Sequence, residues 1–279
     1  MSITILRTAD AWWVRTPRGA ARVETDATTT GELLATPERL DTASSSKETV
    51  DEATLDLLSP VTTPCRVVAQ MTNFASHVED AGLDPETIPL TFFRKTSGSI
   101  SGPFDDIIRP EHVGYLDYEV EIGLVIGREL PVGMQVTEEN WTSFVAGLVV
   151  TNDVSARDVQ FSDKQWIRGK AADTFCPLGP VVVTTDEIPD PQQLAIGCRV
   201  NGETRQASHT REMIFSVAHI IAFISRAITL EPGDVILTGT PDGVGQYREP
   251  KVFLQPGDRV EVSLGDLGVL DNPIGPFVA

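Results

Sequence analysis

Residues 116–127 read LDYEVEIGLVIG, and their alternation constrains this chain more than any other stretch. Leu116, Tyr118, Val120, Ile122, Leu124 and Ile126 hold the even positions. Asp117, Glu119 and Glu121 lead the odd ones, followed by Gly123 and Val125. A period of two predicts a β-strand with one apolar face. The opposite face then carries three carboxylates in a row, each about 6.6 Å from the next. No basic residue stands between them to offset their repulsion. Either open water or a bound cation makes such a face tolerable, and the run alone does not choose between them.

The remaining pattern is that of a mixed, strand-rich α+β chain. Residues 3–24 alternate in short apolar bursts around TPRG and read as a small hairpin or sheet. Residues 25–62 turn polar and acidic, with one short helix expected near 48–58. We take 1–62 as a small N-terminal domain and linker, and 63–279 as the principal domain; two modest domains are normal for 279 residues. In the second part CRVVAQM, FVAGLVV, PLGPVVVTTDEI, VILTG and RVEVSLG read as strands, whereas SGPFDDIIRP reads as a loop. GCRVNGETRQ is a hairpin turning on Asn201-Gly202. Residues 211–228 place Ile214, Val217, Ala218, Ile221, Ile224 and Ile228 at helical spacing.

A formal net charge of −18 argues against nucleic acid or an anionic membrane as partner through a broad basic surface. A small anionic substrate remains compatible, because a metal or a few local cations reverse the field inside a pocket. Cys65, Cys176 and Cys198 lack CxxC or His spacing and suggest neither a disulfide framework nor a zinc site. The N-terminus does not resemble a signal peptide and no apolar run reaches about 18 residues, so a cytoplasmic protein is expected.

Asp153 leaves the FVAGLVV strand at a rigid exit, where functional side chains are often held. With Glu119 and Glu121 it would make an all-oxygen trio suited to Mg²⁺, Mn²⁺ or Ca²⁺. Arg157 and Gln160 share a face if the chain turns helically, offering a planar fork and an amide. Lys170 follows, with Asp173 and Thr174 close behind. TGTPDGVG is glycine-rich but lacks the Gly-Lys-Ser/Thr of a phosphate loop. His77 has Asp80 three residues later, an arrangement that can make imidazole a general base. His219 lies in the apolar helix and reads as structural. Each of these residues taken singly is equally compatible with a surface charge, a cap or a plain turn.

As a set and in order, NFASH, YLDYEVEIGLVIG, NDVSARDVQ, KAADTFCPLGP, NGETRQ and LTGTPDGVG resemble the fumarylacetoacetate hydrolase family from about Pro64 to the C-terminus. The resemblance implies a mixed β-roll of the family's C-terminal domain type, assembled as a homodimer. It implies Mg²⁺ or Mn²⁺ held by Glu119, Glu121 and Asp153. It places substrate-facing groups at Arg157, Gln160, Lys170, Gly239 and Thr240. His77 falls on the family's catalytic histidine, whose usual Glu partner is here Asp80, one methylene shorter, which leaves the role open to Asp80 or to another carboxylate such as Glu79.

The expected activity is hydrolysis of a C–C bond in a β-diketo, acylpyruvate-type acid through an enolate stabilised by the cation, with Lys170 and Gln160 at the oxyanion. Substrates of that type arise in the catabolism of aromatic compounds or sugar acids. Oxaloacetate decarboxylation, and isomerisation or decarboxylation of a 2-hydroxy-diene dioate, share that intermediate and stay open. A reading of another class is a catalytically silent protein stabilised by its cation.

Overall fold

The structure, a computed structural model, describes residues 3–162, 165–188 and 190–277. β1 (Thr4–Arg7), β2 (Trp12–Thr16) and β3 (Gly19–Arg22) form the antiparallel meander expected of the first apolar bursts. The sheet continues beyond it. Ile5 of β1 pairs with Val182 of a later strand, so this meander and the principal part of the chain share a sheet.

Two short helices follow, α1 (Thr30–Leu34) and α2 (Pro37–Ser44), whereas the helix expected near 48–58 is a single 3₁₀ turn at Glu52–Thr54. The starts of both helices are written locally. Thr29 and Glu32 form a reciprocal capping box, and Pro37 occupies the first turn of α2. The 52–54 turn ends where Leu55 adopts extended backbone.

β4 (Val67–Gln70), α3 (Ala75–Asp80) and β5 (Phe92–Lys95) come next. β6 (Ile100–Ser101) ends at the first residue of the stretch expected as a loop, and β7 (Ile107–Arg109) lies within it. The acidic run divides into β8 (Leu116–Asp117) and β9 (Val120–Ile126), with the ladder broken at 118–119. β10 (Val145–Asn152) leads into β11 (Ser155–Ala156), α4 (Arg157–Ser162) and α5 (Ile167–Lys170). Then come β12 (Cys176–Thr184), β13 (Ala195–Val200) and β14 (Glu203–His209). The β13–β14 turn has φ of 52° at Asn201 and 78° at Gly202, the two-residue geometry that Asn-Gly favours. The expected 211–228 helix is shorter, α6 (Val217–Ile224), because Ser216 caps it by accepting from the His219 N–H. β15 (Val235–Leu237), β16 (Arg259–Leu264) and β17 (Val269–Pro276) complete the chain.

The large sheet runs β3-β2-β1-β12-β10-β9-β15-β4-β5, with β6 beside β12. A second runs β14-β13-β16-β17-β7. The even residues of β9, Val120, Ile122, Leu124 and Ile126, pack with Ile196, Val260 and Val262 of the second sheet. On the other face Val125, Val149, Val235 and Leu237 share a cluster with Leu33 and Leu40 of the N-terminal helices. Both faces of β9 are therefore buried along its whole length. A Cβ on Gly123 would lie 2.6 Å from a Val149 methyl, so the neighbouring strand itself requires glycine there. The fold is the expected sheet-dominated α+β type. No helix among the described residues is long and apolar enough to cross a membrane.

Candidate metal centre

β9 and β10 lie antiparallel with Glu121 opposite Thr151, so the residues flanking their ends converge. The Asp153 N–H donates to the Glu119 carbonyl at 2.8 Å, and the Glu119 N–H donates to Asn152 Oδ1 at 2.9 Å. This crossed pair brings the two side chains together. One carboxylate oxygen from each of Glu119, Glu121 and Asp153 lies within 4.8 Å of the others, and exposures are 4%, 0% and 1%. Burial of this order excludes water as the answer to the charge repulsion. Asp117 turns elsewhere: it accepts from the Gly245 N–H at 2.7 Å, the Gln246 N–H at 3.0 Å and Arg157 Nε at 2.9 Å.

Three buried cations surround the trio. Arg157 lies 2.6 Å from Glu119 Oε1, and its other fork arm donates to Gln160 Oε1 at 3.0 Å. Lys170 Nζ donates at 2.8 Å to both Glu119 Oε2 and Asp153 Oδ2. Lys95 Nζ donates to Asp153 Oδ1. Burial alone would raise the Glu119 carboxyl, but the Lys170 and Arg157 charges outweigh it and hold the group below the usual range. Glu121 is pushed well above that range, first by burial and then by the Asp153 and Glu119 charges.

Glu121 Oε2 accepts from the Gly239 N–H at 2.6 Å, while its buried Oε1 has no hydrogen-bond partner among the described residues. A buried carboxylate oxygen without a donor calls for one. Three converging carboxylates with one oxygen unfilled fit a hard divalent cation, and Mg²⁺, Mn²⁺ and Ca²⁺ all suit that donor set. Charge points the same way. Asp117, Glu119, Glu121 and Asp153 against Lys95, Arg157 and Lys170 leave −1 when all are ionised. A dication converts that to +1, the sign an anionic substrate needs.

His77 on α3 is 6% exposed, and its imidazole is pushed down to about 4, by burial first, so it is neutral at physiological pH. The charges of Glu119 and Asp242 oppose that shift, and those of Arg157 and Lys170 add to it. The expected His77–Asp80 hydrogen bond is not formed. Asp80 instead accepts from the Gly243 N–H at 3.4 Å, and His77 Nδ1 has no partner among the described residues. Its carboxylate thus meets the loop of the 240s rather than the imidazole. The ring closest to the imidazole is Tyr247, 5.7 Å between centroids.

The other expected substrate groups are mostly engaged. The Gly239 amide, at φ +95°, is spent on Glu121, and a Cβ there would meet Asn73 at 2.8 Å. Thr240 Oγ1 accepts from Gln206 Nε2 at 2.9 Å. Phe93 stacks its ring 5.5 Å from Lys170 Nζ and 5.8 Å from Trp166. Phe92 instead meets Phe223 of α6 edge to face, 6.0 Å between centroids. Sequence reasoning missed Lys95, Asn73 and Gln206. Lys95 alternates with Phe93 on one buried face of β5, the signal that could have found it. Asn73 ties Thr238 to Phe215, and Gln206 ties β14 to the Thr240 loop.

The model of the fumarylacetoacetate hydrolase C-terminal region matches residues 66–275. The chain is 44% identical over 226 residues to the mitochondrial oxaloacetate tautomerase Fahd2a of Rattus norvegicus, spanning 81% of this chain and 71% of that one. Among solved structures, the fumarylacetoacetate hydrolase of Exiguobacterium antarcticum is 34% identical with a TM-score of 0.82, over 99% of this chain and 100% of the other. Fumarylpyruvate hydrolase of Pseudomonas aeruginosa, solved with Mn²⁺ and pyruvate, is 30% identical with a TM-score of 0.69, over 77% and 91%. This chain belongs to the fumarylacetoacetate hydrolase family.

Proposed function

We propose that the protein is a divalent-cation-dependent enzyme that interconverts the keto and enol forms of a small 2-oxo acid of the oxaloacetate type. The observation that carries this reading is the state of His77: neutral, buried beside the carboxylate trio, and without a carboxylate on Nδ1. Activating water for hydrolysis calls for an imidazole oriented and charge-compensated by a third group. Moving one proton between C3 and the 2-oxo oxygen calls only for a neutral imidazole within reach. A cation held by Glu119, Glu121 and Asp153 supplies Lewis-acid polarisation of the 2-oxo group. His77 takes the proton from C3 and the resulting imidazolium gives it to the 2-oxo oxygen, with the same transfers reversed from enol to keto, so one proton moves and no water is consumed. The amide of Gln160 and the Lys170 ammonium would donate to the developing oxyanion. Arg157, pinned to Asp117, keeps Glu119 ionised and in place. The 44% identity to a protein named oxaloacetate tautomerase supports the reading.

Hydrolysis of an acylpyruvate is the second reading. Two solved relatives are named hydrolases, and the Asp242 charge faces His77 and could compensate an imidazolium. One assay separates them. With Mn²⁺ present, enol absorbance is followed for oxaloacetate and for acylpyruvates, with product acids analysed. Accelerated keto–enol exchange of oxaloacetate without C–C cleavage, lowered about 10²–10⁴-fold in His77→Gln, is the expected result. Cleavage of acylpyruvates without effect on oxaloacetate transfers the assignment to the hydrolase. Turnover of neither leaves a silent, cation-stabilised protein.

A further inference from the structure

Both oxygens of Glu119 and both of Asp153 are already bonded to protein cations. Arg157 takes Glu119 Oε1 and Lys95 takes Asp153 Oδ1. Each of these two is also anchored outside the trio, Arg157 on Asp117 and Gln160, Lys95 by a 3.5 Å contact to the Val154 carbonyl. Lys170 is different. Its Nζ bridges Glu119 Oε2 and Asp153 Oδ2 at 2.8 Å each, and no further hydrogen-bond acceptor holds it among the described residues. Its other neighbour is the Phe93 ring, 5.5 Å away. A dication that draws on both carboxylates meets a protein cation on every one of their oxygens, and Lys170 is the one with the fewest other anchors.

We propose that the Lys170 ammonium is a placeholder for the dication. In the metal-free chain it neutralises Glu119 and Asp153. On cation uptake it leaves at least one of them and swings towards Phe93 and the substrate. This inference rests on the divalent-cation reading of the trio. Two consequences follow. The affinity for the cation contains the cost of detaching a buried ammonium from two carboxylates. The donor expected at the oxyanion also becomes free only in the loaded protein, which couples substrate activation to metal occupancy.

The test is calorimetric titration of Mn²⁺ into wild type and Lys170→Met, with melting temperatures recorded before and after loading. A placeholder predicts that the variant binds Mn²⁺ about ten-fold or more tightly, because a like charge beside the dication is gone. It also predicts a lower melting temperature for the metal-free variant and a larger rise on loading. Equal or weaker Mn²⁺ binding by the variant would mean that Lys170 organises the ligands rather than competing for them, and overturns the proposal. Absence of binding by both proteins overturns the cation reading, and the proposal with it. If the Met variant does not fold, Lys170→Gln, which keeps an amide donor but no charge, is titrated in its place, with the same tighter binding expected and the same equal or weaker binding overturning the proposal.

Discussion

Lys95 and Asp153, 58 positions apart, form a closed ion pair with side-chain exposures of 0% and 1%. Lys95 reaches it from β5, at the edge of the large sheet, and Asp153 from the exit of β10. Neither charge has water to fall back on. Breaking one side of such a pair typically costs about 3–5 kcal/mol. Lys95→Met should therefore lower the unfolding free energy of the metal-free protein by about that amount, read from denaturant melts. Adding Asp153→Asn to it should cost less than the sum of the two single changes. Strict additivity would show that the two groups do not interact energetically.

Asp117 carries no direct role at the cation, yet its carboxylate collects two loop N–H groups and the Arg157 guanidinium. An amide in its place presents N–H to N–H on one side. Asp117→Asn should destabilise the protein by about 2–3 kcal/mol and loosen Arg157 from Glu119. A change below about 0.5 kcal/mol in a thermal melt would mean that water satisfies the 245–246 loop instead.

The imidazole of His77 titrates at about 4 in the folded chain, against about 6.5 when unfolded. Between those values the unfolded state binds more protons, so stability rises with pH across the window. The contribution is complete above about pH 6.5 and lost as pH falls towards 4, a difference of about 3 kcal/mol. Wild type should lose that much more stability than His77→Gln between the two pH values. Parallel stability curves would place the imidazole in contact with solvent.

The Glu121 carboxyl is raised well above its usual range, by burial first and then by the Asp153 and Glu119 charges, which favours a proton on it in the metal-free protein. Cation uptake must expel it. Calorimetry of Mn²⁺ binding at pH 7 in buffers of different ionisation enthalpy should report proton release on binding, with affinity climbing as pH rises. Buffer-independent heats would show Glu121 already ionised.

What was legible in the sequence was local. The alternation of 116–127, the Asn201-Gly202 turn and the strand exit at Asp153 each specify their geometry within a few residues, and from them the trio follows. The capping box at Thr29–Glu32 is equally local, whereas the acidic 48–58 stretch forms only the turn at Glu52–Thr54. Other features depend on register between distant strands. Lys95 meets Asp153 only because β5 joins the sheet through β4 and β15. Asp80 leaves His77 because Gly243 arrives from the far end of the chain. Spacing three residues apart on a helix puts two side chains on one face, but it cannot say which tertiary donor will compete for the carboxylate.

The central claim is that Glu119, Glu121 and Asp153 converge on one dication. Crystals grown with Mn²⁺ and measured at the manganese absorption edge test it directly. The expected map has a single anomalous peak per chain, about 2.0–2.6 Å from an oxygen of each of the three carboxylates. A map without a peak there, or with its strongest peak elsewhere in the chain, would contradict it.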